Sequence, residues 1–241
     1  MSGHSKWATI KRAKETKDAK RSTIFTKLGN NITIAARKGG DPEMNFSLRM
    51  EIDKAKSANM PKDNIDRAIK RGTGELGGAT VEELIYEGFG PAKTGFIIEV
   101  LTDNKNRTAA EIRHIFTKFG GSFGASNSVA WNFDRLGVIR VQSNDLKNIN
   151  QEDLELGLID AGADDIQKEI EGMTILTAIE NFQAVKQLLD DKKIETESAN
   201  IEYLAKEEKK LSEDEQNKVE QFIEALEESD DVTNYYTDAK I

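Results

Sequence analysis

The chain of 241 residues has no cysteine, three prolines and two histidines. Without cysteine there is no disulfide framework, no thiolate metal site and no cysteine nucleophile, and the composition fits a reducing compartment. His4 and His114 are too few for a histidine metal cluster. His114 lies beside the apolar stripe of a helix and reads as a structural or surface residue. Apolar runs such as Phe96-Ile97-Ile98 are far shorter than the roughly 20 residues that cross a bilayer. No apolar run sits among the N-terminal charges, so no secretory signal is expected. Nucleophile elbow, phosphate-binding loop and HExxH motif are all missing. The expectation is a cytoplasmic protein that is not an enzyme, with no metal, no cofactor, no small-molecule substrate and no membrane partner.

What the chain does have is charge, unevenly distributed. Its net charge is −9, with 32% charged and 37% hydrophobic residues. Residues 1–73 hold 17 Lys/Arg and 8 Asp/Glu, a net of +9, whereas residues 74–241 hold 17 Lys/Arg and 35 Asp/Glu, a net of −18. By charge alone, a basic module on an acidic body fits either a nucleic-acid partner or a solvated basic face with no partner. The modest apolar fraction favours several small cores over one large one.

Hydrophobic periodicity divides the chain further. Residues 1–21 carry only Trp7 and Ile10 as large apolar side chains and read as an arm or a marginal helix. Ile24, Phe25, Leu28, Ile32 and Ala35 then recur at helical spacing up to Gly39-Gly40. Asp41-Pro42-Glu43 reads as the start of a second helix, with Leu48, Ile52 and Ala55 inward. Pro61 opens a third, with Ile65, Ala68 and Ile69 inward and Gly72 at its stop. Residues 72–79 read as a linker. Their match to G-x-G-x-x-G comes after a helix rather than a strand and is not a dinucleotide site. Beyond it, Leu84-Ile85-Tyr86 and Phe96–Leu101 read as paired strands. Thr108-Ala109-Ala110-Glu111 reads as a capping box before Ile112, Ile115 and Phe116, and Val129, Trp131 and Phe133 as one face of a strand. Residues 136–204 run strand, helix, strand, strand, helix, strand, the ferredoxin-like order. Ser212-Glu213-Asp214-Glu215 reads as a capping box before Val219, Phe222, Ile223 and Leu226, and Val232–Tyr236 as a closing strand. The expected fold is α+β and multi-domain: arm and three-helix bundle over 1–74, a discontinuous central α+β domain over 80–134 plus 205–241, and an inserted ferredoxin-like domain over 135–204.

The candidate binding residues lie in the basic module. His4, Ser5, Lys6, Trp7, Lys11, Arg12, Lys14, Lys17, Lys20, Arg21 and Lys27 place a cation every three or four positions, which suits a row of phosphates and the release of their counterions. Ser5 and His4 are compact donors to phosphate oxygen. Trp7 offers either a stacking surface for a base or a staple onto the bundle. Arg37, Lys38, Lys62, Arg67, Lys70 and Arg71 form a second set. No ordered set of base-reading side chains is legible, so sequence-specific recognition is not expected.

Gly-His-Ser-Lys-Trp at 3–7, Asp-Ala-Lys-Arg at 18–21, Phe-Thr-Lys-Leu at 25–28, Gly-Gly-Asp-Pro at 39–42, Asn-Met-Pro-Lys-Asp-Asn-Ile at 59–65, Asp-Asn-Lys-Asn-Arg-Thr at 103–108 and Ser-Val-Ala-Trp at 128–131 resemble the YebC family. The resemblance is specific through residue 134 and looser beyond. It departs at Ser22-Thr23, where many members carry a small residue and a lysine. It implies the same three-part architecture and a cytoplasmic probable transcriptional regulator that binds DNA. Relatives that act as mitochondrial translational activators, and bacterial members that act on stalled ribosomes, imply ribosomal RNA or the ribosome instead. The residues leave both targets open.

Overall fold

The computed structural model describes residues 21–76, 81–147 and 149–241, with backbone alone for 21–23. These residues fall into two compact units, Asn132–Glu207 and a larger one made of the residues up to Trp131 together with Glu208–Ile241. The architecture is the expected α+β, with a helical bundle, an antiparallel central layer and a ferredoxin-like unit.

The larger unit opens with three helices, α1 (Arg21–Ala36), α2 (Phe46–Ser57) and α3 (Lys62–Gly72). Ile32, Leu48, Ile52, Ala55, Ile65 and Ala68 meet in their shared core. The second helix starts later than Asp41-Pro42-Glu43 suggests. Its N-cap is Asn45, whose side-chain oxygen accepts from Leu48 N at 3.1 Å. The Asn45 amide also donates to Ala35 O at 2.8 Å and Gly39 O at 2.7 Å. One buried side chain thus satisfies orphan groups at the end of α1 and the start of α2. Asp41 instead folds back on Glu43 N in a local turn.

The chain next forms β1 (Glu82–Phe89) and β2 (Gly95–Thr102), then α4 (Lys105–Lys118) and the short β3 (Ser122–Phe123). Thr108 is not a cap. The N-cap of α4 is Asn104, which accepts from Arg107 N at 3.1 Å. Thr108 lies inside the helix, fully buried, because its hydroxyl is needed elsewhere: it donates to Asp231 Oδ2 at 2.6 Å. Val129, Trp131 and Phe133 do not share a strand either. Residues 130–132 form a single 3-10 turn, Val129 is buried and Trp131 is 68% exposed. The cause is Glu87, a buried carboxylate on β1 that accepts backbone N–H bonds from Asn127 (2.8 Å), Val129 (2.9 Å) and Ala130 (2.9 Å). Those amides are drawn to one anion and so cannot enter a ladder.

The smaller unit holds β4 (Phe133–Gln142), α5 (Gln151–Asp160), β5 (Ala163–Lys168), β6 (Gly172–Thr177), α6 (Phe182–Asp191) and β7 (Ser198–Ala205). The sheet order is β5-β6-β4-β7 and every neighbouring pair is antiparallel, which is the split βαβ arrangement. Gly137 in β4 leaves room for Phe182 of α6, since a Cβ there would stand 2.6 Å from its ring. On the opposite face of β4, Arg140 and Glu202 of β7 form a bidentate pair at 2.9 and 3.0 Å, both almost fully buried. Removing one partner of such a pair typically costs about 3–5 kcal/mol.

The chain then re-enters the larger unit through β8 (Lys209–Lys210), α7 (Glu213–Glu228), β9 (Val232–Thr237) and β10 (Ala239–Lys240). β9 completes the sheet β3-β1-β2-β9. Phe96, Ile98 and Val100 of β2 meet Ile112 and Phe116 of α4 and Val219, Phe222 and Leu226 of α7. Phe222 stands edge-on to Phe96 at 4.8 Å and tilted to Phe116 at 5.0 Å, within the range of favourable aromatic pairs. α1 also contacts β2 and β9.

Replacing Glu87 with alanine leaves three loop amides without their acceptor; denaturant unfolding should show a loss of about 3 kcal/mol, with altered Trp131 emission. The capping box at Ser212 forms, with Ser212 N donating to Glu215 Oε2 at 2.9 Å. The Ser212 backbone N–H, then its hydroxyl, hold the Glu215 carboxyl below its ordinary 4.5. This stabilisation is complete above pH 4.5 and is lost as pH falls through the lowered value. Glu215→Gln should therefore melt earlier than the parent at pH 7, and the gap should close under acid conditions.

Candidate nucleic-acid interface

The described part of the basic module is organised by the contact between α1 and α3. The Thr33 hydroxyl bonds Gly29 O at 2.8 Å within α1 and lies 3.2 Å from Ala68 O of α3. Close approach continues to the ends of both helices. A Cβ on Gly72 would stand 2.6 Å from Ala36 Cβ and closer still to the Thr33 carbonyl oxygen; one on Gly40 would stand 2.7 Å from Thr73 Cγ2. Gly72 therefore serves as the last residue of α3 packed against α1, where the sequence suggests the beginning of a linker.

This approach brings the C-terminal ends of α1 and α3 together, and with them Arg37, Lys38, Lys70 and Arg71, all exposed. Cations at helix C-termini are favoured by the dipole, so part of the cluster is explained by local stability. Arg37 has a further structural duty: its guanidinium donates to Val81 O. Arg67 is exposed one turn before Arg71. Lys62 lies at the other end of α3, about 14 Å away along the axis, so the second set of candidates is brought together only in part. Asp63 and Asp66 are exposed on the same helix between these cations.

His4, Ser5, Lys6, Trp7, Lys11, Arg12, Lys14, Lys17 and Lys20 lie outside the described residues. Arg21 is the first residue of α1. Lys27 is half-buried and its ammonium donates to Glu227 O, at the end of α7, at 2.9 Å. Sequence reasoning missed Trp131 as a surface aromatic. Its indole N–H donates to Ser128 O at 3.2 Å, which holds the ring on the turn that Glu87 organises. The turn chemistry of Gly124-Ala125-Ser126-Asn127 was the available signal, since Asn127 has a positive φ of 65°.

Residues 5–75 match the family model described as TACO1/YebC protein N-terminal domain, and residues 81–239 match that described as TACO1/YebC second and third domain. The chain belongs to the TACO1/YebC family. A relative from Caldanaerobacter subterraneus subsp. tengcongensis, named a probable transcriptional regulatory protein, is 51% identical over 100% of this chain and 99% of its own length. One of the same name from Thermotoga maritima is 48% identical over 98% of this chain and 93% of its own. The crystal structure of a conserved hypothetical protein from Aquifex aeolicus matches with a TM-score of 0.81 at 41% identity, covering 93% of this chain and 92% of that one. TACO1/YebC membership agrees with the resemblance carried by the motifs. Among the described residues, no helix is long and apolar enough to cross a membrane.

The close approach at Gly72 is testable. Gly→Ala in a helix ordinarily stabilises by about 0.5–1 kcal/mol. Here Gly72→Ala should instead destabilise by about 1–3 kcal/mol, because the new methyl meets the Thr33 carbonyl. Thermal unfolding of the variant decides the sign.

Proposed function

We propose that this protein is a non-enzymatic, cytoplasmic regulator of gene expression that binds nucleic acid through its basic N-terminal portion. The observation that carries the reading is the charge split, +9 over residues 1–73 against −18 over the rest, with Lys38, Arg67, Lys70 and Arg71 exposed where α1 and α3 converge. In this reading residues 1–74 form the binding part, 80–134 with 205–241 the body, and 135–204 an inserted module. The arm residues Lys6, Lys11, Arg12, Lys14, Lys17, Lys20 and Arg21 engage phosphates, with His4 and Ser5 as further donors and Trp7 as a stacking surface. The cluster at the end of α3 supplies further phosphate contacts. The acidic remainder repels nucleic acid and so orients the encounter.

The names of the relatives favour DNA and transcription. A second reading, RNA on the ribosome and control of translation, is favoured by α3. Its exposed surface mixes Asp63 and Asp66 with Lys62, Arg67, Lys70 and Arg71, which suits contact with backbones of irregular shape better than a helix laid along base edges.

If five or six cations meet phosphates, log K should fall against log salt with a slope of roughly −4 to −5. Replacing Lys11, Arg12 and Lys14 together by glutamine should flatten that slope by about two to three units and weaken all sequences alike. A Lys38, Arg67, Lys70 and Arg71 quadruple replacement should act in the same direction. Unchanged affinity and slope in both variants would overturn the proposal. Crosslinking in cells, with sequencing of the attached nucleic acid, separates the DNA reading from the RNA one.

A further inference from the structure

The ferredoxin-like unit packs two helices on one face of its sheet, and they differ in one respect. α6 turns Phe182, Val185 and Leu189 inward and exposes Gln183, Ala184, Gln187, Asp190 and Asp191. α5 turns Leu154 and Leu158 inward but also exposes Leu156 at 63% and Ile159 at 57%. Spaced three apart, Leu156 and Ile159 are neighbours on one face, the face opposite the core. A helix that is apolar on both sides has the pattern of one covered on both sides, and among the described residues α5 is covered on one.

Around this pair stand Glu152, Asp153, Glu155 and Asp160. Glu155 is paired with Lys168 at 2.6 Å, at the end of β5. Residues 132–207 hold 17 Asp/Glu and 8 Lys/Arg, so the rim keeps its negative sign over a long range. That sign decides among occupants. Nucleic acid and anionic lipid are repelled. A second copy of the same face would set acid against acid. What fits is an apolar stripe with cations on either side.

We infer that the outer face of α5, with Leu156 and Ile159 at its centre and Glu152, Asp153 and Asp160 on its rim, docks a basic amphipathic helix of another protein. The patch is small, so the interaction is weak and transient, with the apolar pair supplying affinity and the carboxylates supplying orientation and rate. This surface lies outside the basic module, and its role is independent of which nucleic acid that module binds.

The test uses the full chain and a synthetic helical peptide with leucines at i, i+3, i+4 and i+7 and lysines elsewhere, beside a scrambled peptide of the same composition. Amide shifts in the NMR spectrum should move on α5 with the patterned peptide only. Leu156→Ser and Ile159→Ser should each weaken binding about tenfold, with thermal stability nearly unchanged because both side chains already face water. Glu152→Gln with Asp160→Asn should weaken it several-fold and reduce its salt dependence. Equal binding of the scrambled peptide, shifts away from α5, or full affinity in the serine variants would each overturn the inference. So would a concentration-dependent dimer, seen by sedimentation and abolished by Leu156→Ser, which would assign the face to a second copy.

Discussion

The Asp231 carboxylate is the fixture on which the central layer depends. It accepts from Thr108 in α4 and from Arg107 at 3.1 Å, and lies 3.3 Å from the Thr102 hydroxyl at the end of β2, while Asp231 O accepts from Leu101 N at 2.8 Å. Thr108 and Asp231 are 123 positions apart. The sheet has its fourth strand, and the aromatic core its Phe222, only when the chain returns to this point. Burial first, and then the Asp231 charge, push the Tyr86 phenol above its ordinary value, and hydrogen bonding to Asp231 holds Arg107 firmly as a cation. A buried or half-buried acid with several donors recurs at Glu87. In both places an anion gathers several donors, side-chain hydroxyl and guanidinium groups at Asp231 and backbone amides at Glu87.

Positive charge in the helical module is put to two uses. Arg37 and Lys27 donate to carbonyl oxygens of Val81 and Glu227, and so hold α1 to the threshold of β1 and to the end of α7. Lys38, Arg67, Lys70 and Arg71 are left at the surface. A count of lysines and arginines cannot separate these uses, because both need the same side chain near a helix end. Geometry separates them: where a carbonyl lies within reach the cation acts within the fold, and elsewhere it faces the solvent.

The helices, the ferredoxin-like order and the second capping box were legible because each rests on period or on residues close in sequence. Leu48, Ile52 and Ala55 needed only their spacing. The starts of α2 and α4 were not legible, since Asp41 and Thr108 are good caps by type. Asn45 wins because it serves two helices at once, and Thr108 is taken by Asp231, partners that sequence proximity does not reveal. Trp131 escaped for the same reason: alternation suggests a strand, and the acid that forbids it is Glu87, more than 40 positions away. Of the candidate interface, the second set was legible as charge but not as a place, because Gly72 looks like a chain break until Thr33 is known to lie against it.

The pairing of Phe133 with Ala205 sets the two crossing segments of the smaller unit side by side, and Asn132 fastens them further, its carbonyl accepting from Lys206 N at 2.8 Å and its amide donating to Glu207 O at 3.1 Å. Once folded, the unit spans its own attachment points as a tight hairpin would. Closing the central layer across an unfolded segment of about 75 residues costs about 3 kcal/mol more than across a two-residue turn. The folded insertion is therefore an entropic tool: it shortens the path that β9 must travel to reach β2. The same geometry makes it a cassette, one that evolution can lengthen, exchange or excise while the layer on either side keeps its register.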